Sequence, residues 1–210
     1  MTNTKRKAGV ERVTQETNIK LEIILDGKGH SKIRTGIPFL EHMLSLFSKH
    51  GLFNLTIAAK GDTKIDIHHT NEDIGICMGE AIKKALGDKK RIRRFGFAYV
   101  PMDGALARVV LDIGGRGSLF LTHLDGSTPL IEADILHPVK KLQNYSLEHA
   151  RQFLSALTRI AGINMDVSAR PNIDMHHALE AIFKAFGIAL SQAIQIDTRV
   201  KGIPSIKGRL

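Results

Sequence analysis

The sequence predicts an α+β fold made of two tandem, duplicated halves. Each half is expected to be a mostly antiparallel sheet with two helices on one face, and the two are expected to pack helix layer to helix layer. Three observations carry this expectation. A ten-residue pattern recurs 108 residues along, from His68 to His176: Ile65-Asp66-Ile67-His68-His69-Thr70-Asn71-Glu72-Asp73-Ile74 and Ile173-Asp174-Met175-His176-His177-Ala178-Leu179-Glu180-Ala181-Ile182. Beyond it the register runs on without a gap, pairing Gly79 with Gly187, Ala81 with Ala189 and Ala85 with Ala193. Strand and helix patterns also follow one another in the same order in both halves. The composition, 43% hydrophobic and 24% charged over 210 residues, is that of an ordinary globular chain with room for two small units. The expected division is 1–90 and 91–194, followed by a basic tail over 195–210, with the boundary near 89–94.

Along the first half, residues 19–25 alternate apolar and polar as a half-buried strand and end at the turn signal Asp26-Gly27. Leu40, Met43, Leu44 and Phe47 fall at helical spacing between Pro38 and Gly51. A strand over 53–59 and a turn at Gly61-Asp62 lead into a helix over 68–86, whose apolar stripe is Ile74, Cys77, Met78, Ala81 and Ala85. In the second half, strands are expected over 97–100, 106–113 and 119–122. Leu147, Ala150, Leu154, Leu157 and Ala161 then mark a helix, followed by a strand over 163–169 and a helix over 176–194. Residues 124–144 hold Pro129 and Pro138 and read as an irregular insertion or hairpin.

Several function classes are set aside by composition. A formal charge of +9 is compatible with an anionic partner, but the basic residues are dispersed apart from Lys5-Arg6-Lys7 and residues 89–94. With 5% aromatics and no Trp, there is no stacking platform for nucleic acid, and an anionic metabolite fits better. No segment approaches the roughly 20 apolar residues of a membrane span. The first eleven residues are basic and polar with no apolar core, so a cytoplasmic location is expected. A single cysteine, Cys77, cannot form an internal disulfide, and its place in an apolar stripe predicts a buried structural thiol. His149 is expected to serve the core or an interface rather than a metal.

The repeated motif carries the chemistry. At 3.6 residues per turn, a His and a Glu three or four positions apart share a helix face, so His68 or His69 can meet Glu72, and His176 or His177 can meet Glu180. Adjacent histidines point about 100° apart, which suits two ions better than one. Imidazole with carboxylate favours first-row divalent metals, with Mn, Fe, Co, Ni and Zn all open on ligand type. A lone His-His pair before a helix also serves as a cap or interface; its duplication is what argues for metal.

With these motifs placed, the chain resembles the imidazoleglycerol-phosphate dehydratase family over nearly its full length. The stretches that carry the resemblance are Arg12-Val13-Thr14-Gln15-Glu16-Thr17, Thr35-Gly36-Ile37-Pro38-Phe39-Leu40-Glu41-His42-Met43-Leu44, Asp66-Ile67-His68-His69-Thr70-Asn71-Glu72-Asp73, Arg94-Phe95-Gly96, Pro101-Met102-Asp103, His176-His177-Ala178-Leu179-Glu180-Ala181-Ile182-Phe183-Lys184-Ala185 and Pro204-Ser205-Ile206-Lys207-Gly208. The resemblance implies a manganese enzyme of histidine biosynthesis with two Mn(II) ions per active site. His42, His68, His69, Glu72, His176, His177 and Glu180 match its metal ligands. Arg94, Arg116, Lys184, Ser205 and Lys207 match contacts to the substrate phosphate, and Glu16 matches a carboxylate of acid-base chemistry, beside His69 and Glu180 in the catalytic set. It further implies 24-subunit shells with sites between subunits.

The implied reaction removes water from imidazole glycerol phosphate to give imidazole acetol phosphate. The departing proton sits on a carbon with no adjacent carbonyl, which is the difficulty the metals, as Lewis acids and template, are implied to answer. Some positions depart from the family pattern. Asp166 stands where a strand histidine is usual and is a candidate ligand through oxygen. Gly104 stands for the Glu of Met-Asp-Glu, Leu46 for a Gln, and Gly114 for a Ser before Gly-Arg. These departures keep a competing expectation open: a paralogue that retains the metal-dependent shell without the chemistry, or with another small phosphorylated substrate.

Overall fold

The computed structural model describes residues 6–124, 129–130, 145–170 and 174–210. In the first half, β1 (Lys7–Val13), β2 (Thr17–Ile24) and β3 (Ser31–Arg34) precede α1 (Pro38–Gly51), β4 (Asn54–Gly61) and α2 (His68–Leu86). The second half repeats the order with β5 (Phe95–Met102), β6 (Ala105–Asp112), β7 (Ser118–His123), α3 (Leu147–Ala161), β8 (Asn164–Ala169) and α4 (Met175–Ala193). Most of the expected insertion over 124–144 lies outside the described residues.

Both sheets have one topology, β1-β2-β4-β3 and β5-β6-β8-β7, with two antiparallel pairings and one parallel pairing at the edge. The parallel pair arises because α1 or α3 carries the chain across between the edge strand and its neighbour, as a parallel connection requires. The expected duplicated α+β architecture is therefore what the chain forms.

Local chemistry sets the element ends. β2 buries Thr17, Ile19, Leu21 and Ile23 on one face and exposes the residues between, the period-two pattern of a half-covered strand. α1 has no side-chain cap at Ile37. Instead the Glu41 carboxylate accepts from the Thr35 and Gly36 amides at 2.6 and 3.1 Å, beside Pro38 in the first turn. α3 begins with a capping box: Ser146 accepts from the His149 amide, and the His149 ring reaches back to the Ser146 amide at 3.2 Å. His149 thus works in helix capping. The two-residue turn Asp103-Gly104 has φ of 42° and 89°, the positive pair of a type I′ hairpin.

The halves interlock through their helices. α2 lies over β1 and β2 and also packs on α3 of the other half; α4 lies over β5 and β6 and packs on α1. Glycines let these crossings close, Gly75, where a Cβ would sit 2.6 Å from the Phe153 carbonyl, among them. A Cβ on Gly79 would sit 2.6 Å from the Leu157 carbonyl, and one on Gly187 would sit 2.5 Å from the Phe47 carbonyl. One continuous apolar core results, running from Ile19 and Phe47 to Phe183 and Phe186. Cys77 lies within it, and burial pushes its thiol up to about 11.

Two strands, β1 and β3, have no counterpart among the sequence expectations. Each is an edge strand that buries little: Val10 alone is buried in β1, and none of the four residues of β3 is. With small Ala8 and charged Arg12 flanking Val10 on the covered face of β1, and no buried residue in β3, neither strand carries an apolar period to detect.

Candidate metal centre

Among the described residues, the N-terminal end of α4 assembles the densest group of ligand-type side chains. Asp174 caps the helix by accepting from the His177 amide at 3.1 Å, which fixes the turn that presents His176 and Glu180 on one face. His176 Nε2 lies 3.0 Å from Glu180 Oε1. From α1, docked alongside, His42 brings its Nε2 to the same oxygen at 2.8 Å. One ligand atom from each of the three falls within 4.8 Å of the others. Phe39 packs edge-on to the His176 ring, 5.4 Å between centroids, and stacks on Tyr145, so an apolar wall backs the cluster.

Glu180 is 6% exposed. Burial opposes its charge, but hydrogen bonds from Lys184, His42 and His176 outweigh that and hold its carboxyl down at about 2. Lys184 Nζ lies 2.7 Å from Glu180 Oε2 and 3.2 Å from Met102 Sδ. Two imidazole nitrogens and an ionised carboxylate aimed at one point form a donor set that fits a first-row divalent ion. His177 turns away from this cluster, with Nε2 3.8 Å from Asp103 Oδ2 at the hairpin tip.

The matching end of α2 is more open. His68 Nε2 faces Glu72 Oε2 at 3.6 Å, and its Nδ1 meets Gln152 Oε1 of α3 at 2.7 Å. His69 Nδ1 lies 2.9 Å from Asp62 and 3.7 Å from Glu16, which stands in the loop between β1 and β2. The Asp62 hydrogen bond, and then the Glu16 charge, raise the pKa of His69 above its ordinary value. Gln152 and Asp62 were not among the residues expected from sequence. Asp62 lies in the expected turn, whereas Gln152 is found only when α1 is superposed on α3.

The cationic positions separate into two places. Arg94, Arg116, Ser205 and Lys207 line a cavity of about 480 Å³ together with Gly114, Gly115 and Arg209. Arg94 is held there by Asp112 at 2.6 and 3.0 Å and donates to the Pro204 carbonyl at 3.0 Å, tying the C-terminal segment to the start of β5. Lys184 is not in that group: it stands near Met102, at the other end of the same strand. Eight residues of extended chain separate those ends by about 26 Å. Asp166 lies on the outer face of the second sheet, paired with Arg108 at 2.8 Å, while its neighbours Met165 and Val167 point into the core.

Residues 35–190 match the family described as imidazoleglycerol-phosphate dehydratase. The chain belongs to that family. The Geobacillus kaustophilus member is 50% identical over 205 residues, covering 98% of this chain and 99% of the relative. The Geobacter metallireducens member is 48% identical over the same shares. Among solved structures, imidazoleglycerol-phosphate dehydratase from Staphylococcus aureus superposes with a TM-score of 0.74 at 34% identity, over 91% of this chain and 99% of that one. The Pyrococcus furiosus enzyme, solved in complex with (S)-C348, gives 0.76 at 28% identity, over 96% and 100%. The coverage takes in both helix-end clusters, so family membership and the His42, His176 and Glu180 geometry rest on the same stretch of chain. No described helix is long and apolar enough to cross a membrane.

Proposed function

We propose that this member of the family dehydrates imidazole glycerol phosphate to imidazole acetol phosphate in histidine biosynthesis, with two Mn(II) ions per site and sites formed between subunits of a 24-subunit shell. The observation that carries the reading is the convergence of His42, His176 and Glu180 in a chain matched over 98% of its length by a dehydratase-family relative. Bound divalent ions supply Lewis acidity toward the imidazole ring and fix its position. His42, His176 and Glu180 are one set of ligands; His68, His69, Glu72 and His177 supply the others.

The remaining work falls to this chain's own groups. Glu16 beside His69 is an exposed carboxylate close to a histidine, a pair suited to taking the proton from carbon and returning one to the departing hydroxyl, so that water leaves. Arg94, Arg116, Ser205 and Lys207 hold the phosphate dianion through charge-assisted hydrogen bonds and so orient the reacting carbons. Lys184 stands by the carboxylate of the ligand cluster and completes the phosphate grip only if another subunit brings its cavity there. Asp166 is held by Arg108, so an ion-ligating role for it requires that pair to open.

Assembly is supported by two observations. The ligand cluster and the phosphate cavity stand at opposite ends of β5, too far apart for one small substrate to reach both within a chain. The outer face of the second sheet exposes Phe95, Phe97, Tyr99, Val110 and Phe120, an apolar patch of the kind that self-association covers. A cytoplasmic location goes with this reading.

The test is turnover of imidazole glycerol phosphate by metal-stripped protein titrated with Mn(II), with particle size followed in the same samples. Turnover and large particles should rise together with Mn(II). A metal-loaded large particle with no turnover would sink the dehydratase reading and favour the retained shell, for which the departures at Gly104 and Asp166 argue.

A further inference from the structure

The duplication allows the two helix-end clusters to be compared residue by residue. α1 and α3 correspond at a spacing of 110 residues, because Leu52 and Gly162 are both left-handed C-caps and Asn54 and Asn164 both open the following strand. α2 and α4 correspond at 108, from His68 to His176. The counterpart of His42 is therefore Gln152, and each reaches across the interface between halves to the histidine cluster of the opposite helix.

They do so differently. His42 and His176 both aim Nε2 at Glu180 Oε1, at 2.8 and 3.0 Å. Gln152 instead approaches the back of His68: its Oε1 lies 2.7 Å from Nδ1, while its amide nitrogen donates to Glu148 at 3.1 Å and so fixes which way the amide faces. An amide oxygen only accepts. Nδ1 of His68 therefore carries a proton, which leaves Nε2, on the Glu72 side, as the nitrogen open to a metal. This is the arrangement by which a second residue orients a metal-binding imidazole. Each carboxylate also has a cation near it, Lys184 at 2.7 Å from Glu180 and Arg159 at 3.8 Å from Glu72, so the donors and not the cations set the clusters apart.

We propose that the two divalent-metal positions of this protein are unequal, the α2 position being the weaker, and that Gln152 is the positioning residue that holds His68 in its metal-binding tautomer. The inference rests on the reading that ions bind at both helix ends. One cluster offers two imidazoles and a carboxylate from a single chain; the other offers one imidazole and a carboxylate, with a neutral amide spent on orientation.

The experiment is Mn(II) binding to the metal-stripped full-length protein at fixed protein concentration, read as free Mn(II) by electron paramagnetic resonance, with particle size and circular dichroism as folding controls. Two classes differing at least tenfold in Kd are expected. Gln152→Leu should loosen the weak class by about 10-fold to 100-fold and leave the tight class unmoved. Gln152→His, which brings an imidazole where the amide stood, should tighten the weak class. Two classes of equal affinity in the parent, or a weak class indifferent to Gln152→Leu, would overturn the proposal. Failure of the underlying metal reading looks different: no binding class would then be lost on His42→Ala.

Discussion

Corresponding cross-strand rows on the outer faces of the two sheets read Gly9, Glu22, Thr56, Lys32 in the first and Phe97, Val110, Asp166, Phe120 in the second. The inner faces of the same strands stay alike, with Ile19, Leu21 and Ile23 buried on β2 and Ala107, Val109 and Leu111 buried on β6. Duplication has thus preserved what the shared core constrains and released what it does not. Outer faces and helix ends are where the halves have taken separate tasks: one sheet meets water, the other presents an apolar patch, and one helix end gathers three ligands where the other gathers two.

The largest effect is expected at the stronger helix end. Glu180→Ala leaves Lys184, His42 and His176 facing a space with no carboxylate, and Mn(II)-dependent turnover should fall by more than ~100-fold, since loss of even an orienting partner costs up to that much. Glu72→Ala should weaken metal binding at the other end while the tight class survives. Equal losses of the tight class from both variants, measured by Mn(II) titration, would erase the distinction between the halves.

Next comes the contrast between sheet faces. Charges placed on the apolar row, Phe97→Lys with Phe120→Lys, should shift the protein to smaller particles in sedimentation and lower turnover in step. The matching change on the first sheet, Glu22→Lys with Thr56→Lys, should leave particle size alone. Unchanged particles in the first variant would mean that the patch plays no part in assembly.

How much of this was legible in sequence follows from which forces speak through local pattern. Helices and central strands announce themselves because a buried face imposes a period on the letters, as in β2 and in the stripe from Ile74 to Ala85. β1 and β3 stay silent because they bury one residue and none, whereas β5, also at a sheet edge, buries Gly96 and Ala98 and was expected. The repeat exposed the His-His-x-x-Glu helices directly. His42 entered through family resemblance, since the docking of α1 against α4 is set by tertiary packing at Gly187 and leaves no mark near position 42. Gln152 was invisible for a further reason: the repeat spacing changes from 110 to 108 between the helix pairs, so a count at 108 from His42 lands on Ala150.

Smaller effects test the pseudo-symmetry of the core. Gly79→Ala and Gly187→Ala each gain about 1 kcal/mol of helix propensity. Each also drives a methyl group to 2.6 or 2.5 Å from a rigid carbonyl of the facing helix. Contact that close forces the helices apart, and overpacking of this kind costs about 1–3 kcal/mol. The clash should win, lowering the melting temperature of the Mn(II)-loaded protein by a few degrees, roughly 2–4 °C per kcal/mol for a chain of this size. Similar shifts in the two variants are expected from the matched geometry; a fall in one alone would mean that the interfaces differ in how they yield.

Gly104 separates close approach from backbone conformation. A Cβ there meets no atom within 4 Å, so nothing needs to move aside, yet its φ of 89° is one that other residues adopt only under strain. Gly104→Ala should therefore cost about 1 kcal/mol through backbone strain alone, with no movement of its neighbours. Gly104→Glu carries the same backbone penalty and adds a carboxylate beside Asp103, at the hairpin tip that His177 faces. If the glutamate variant melts with the alanine variant but gains turnover, the type I′ turn and the family's missing carboxylate are in competition at this position. If its turnover is unchanged, the hairpin alone explains why glycine is there.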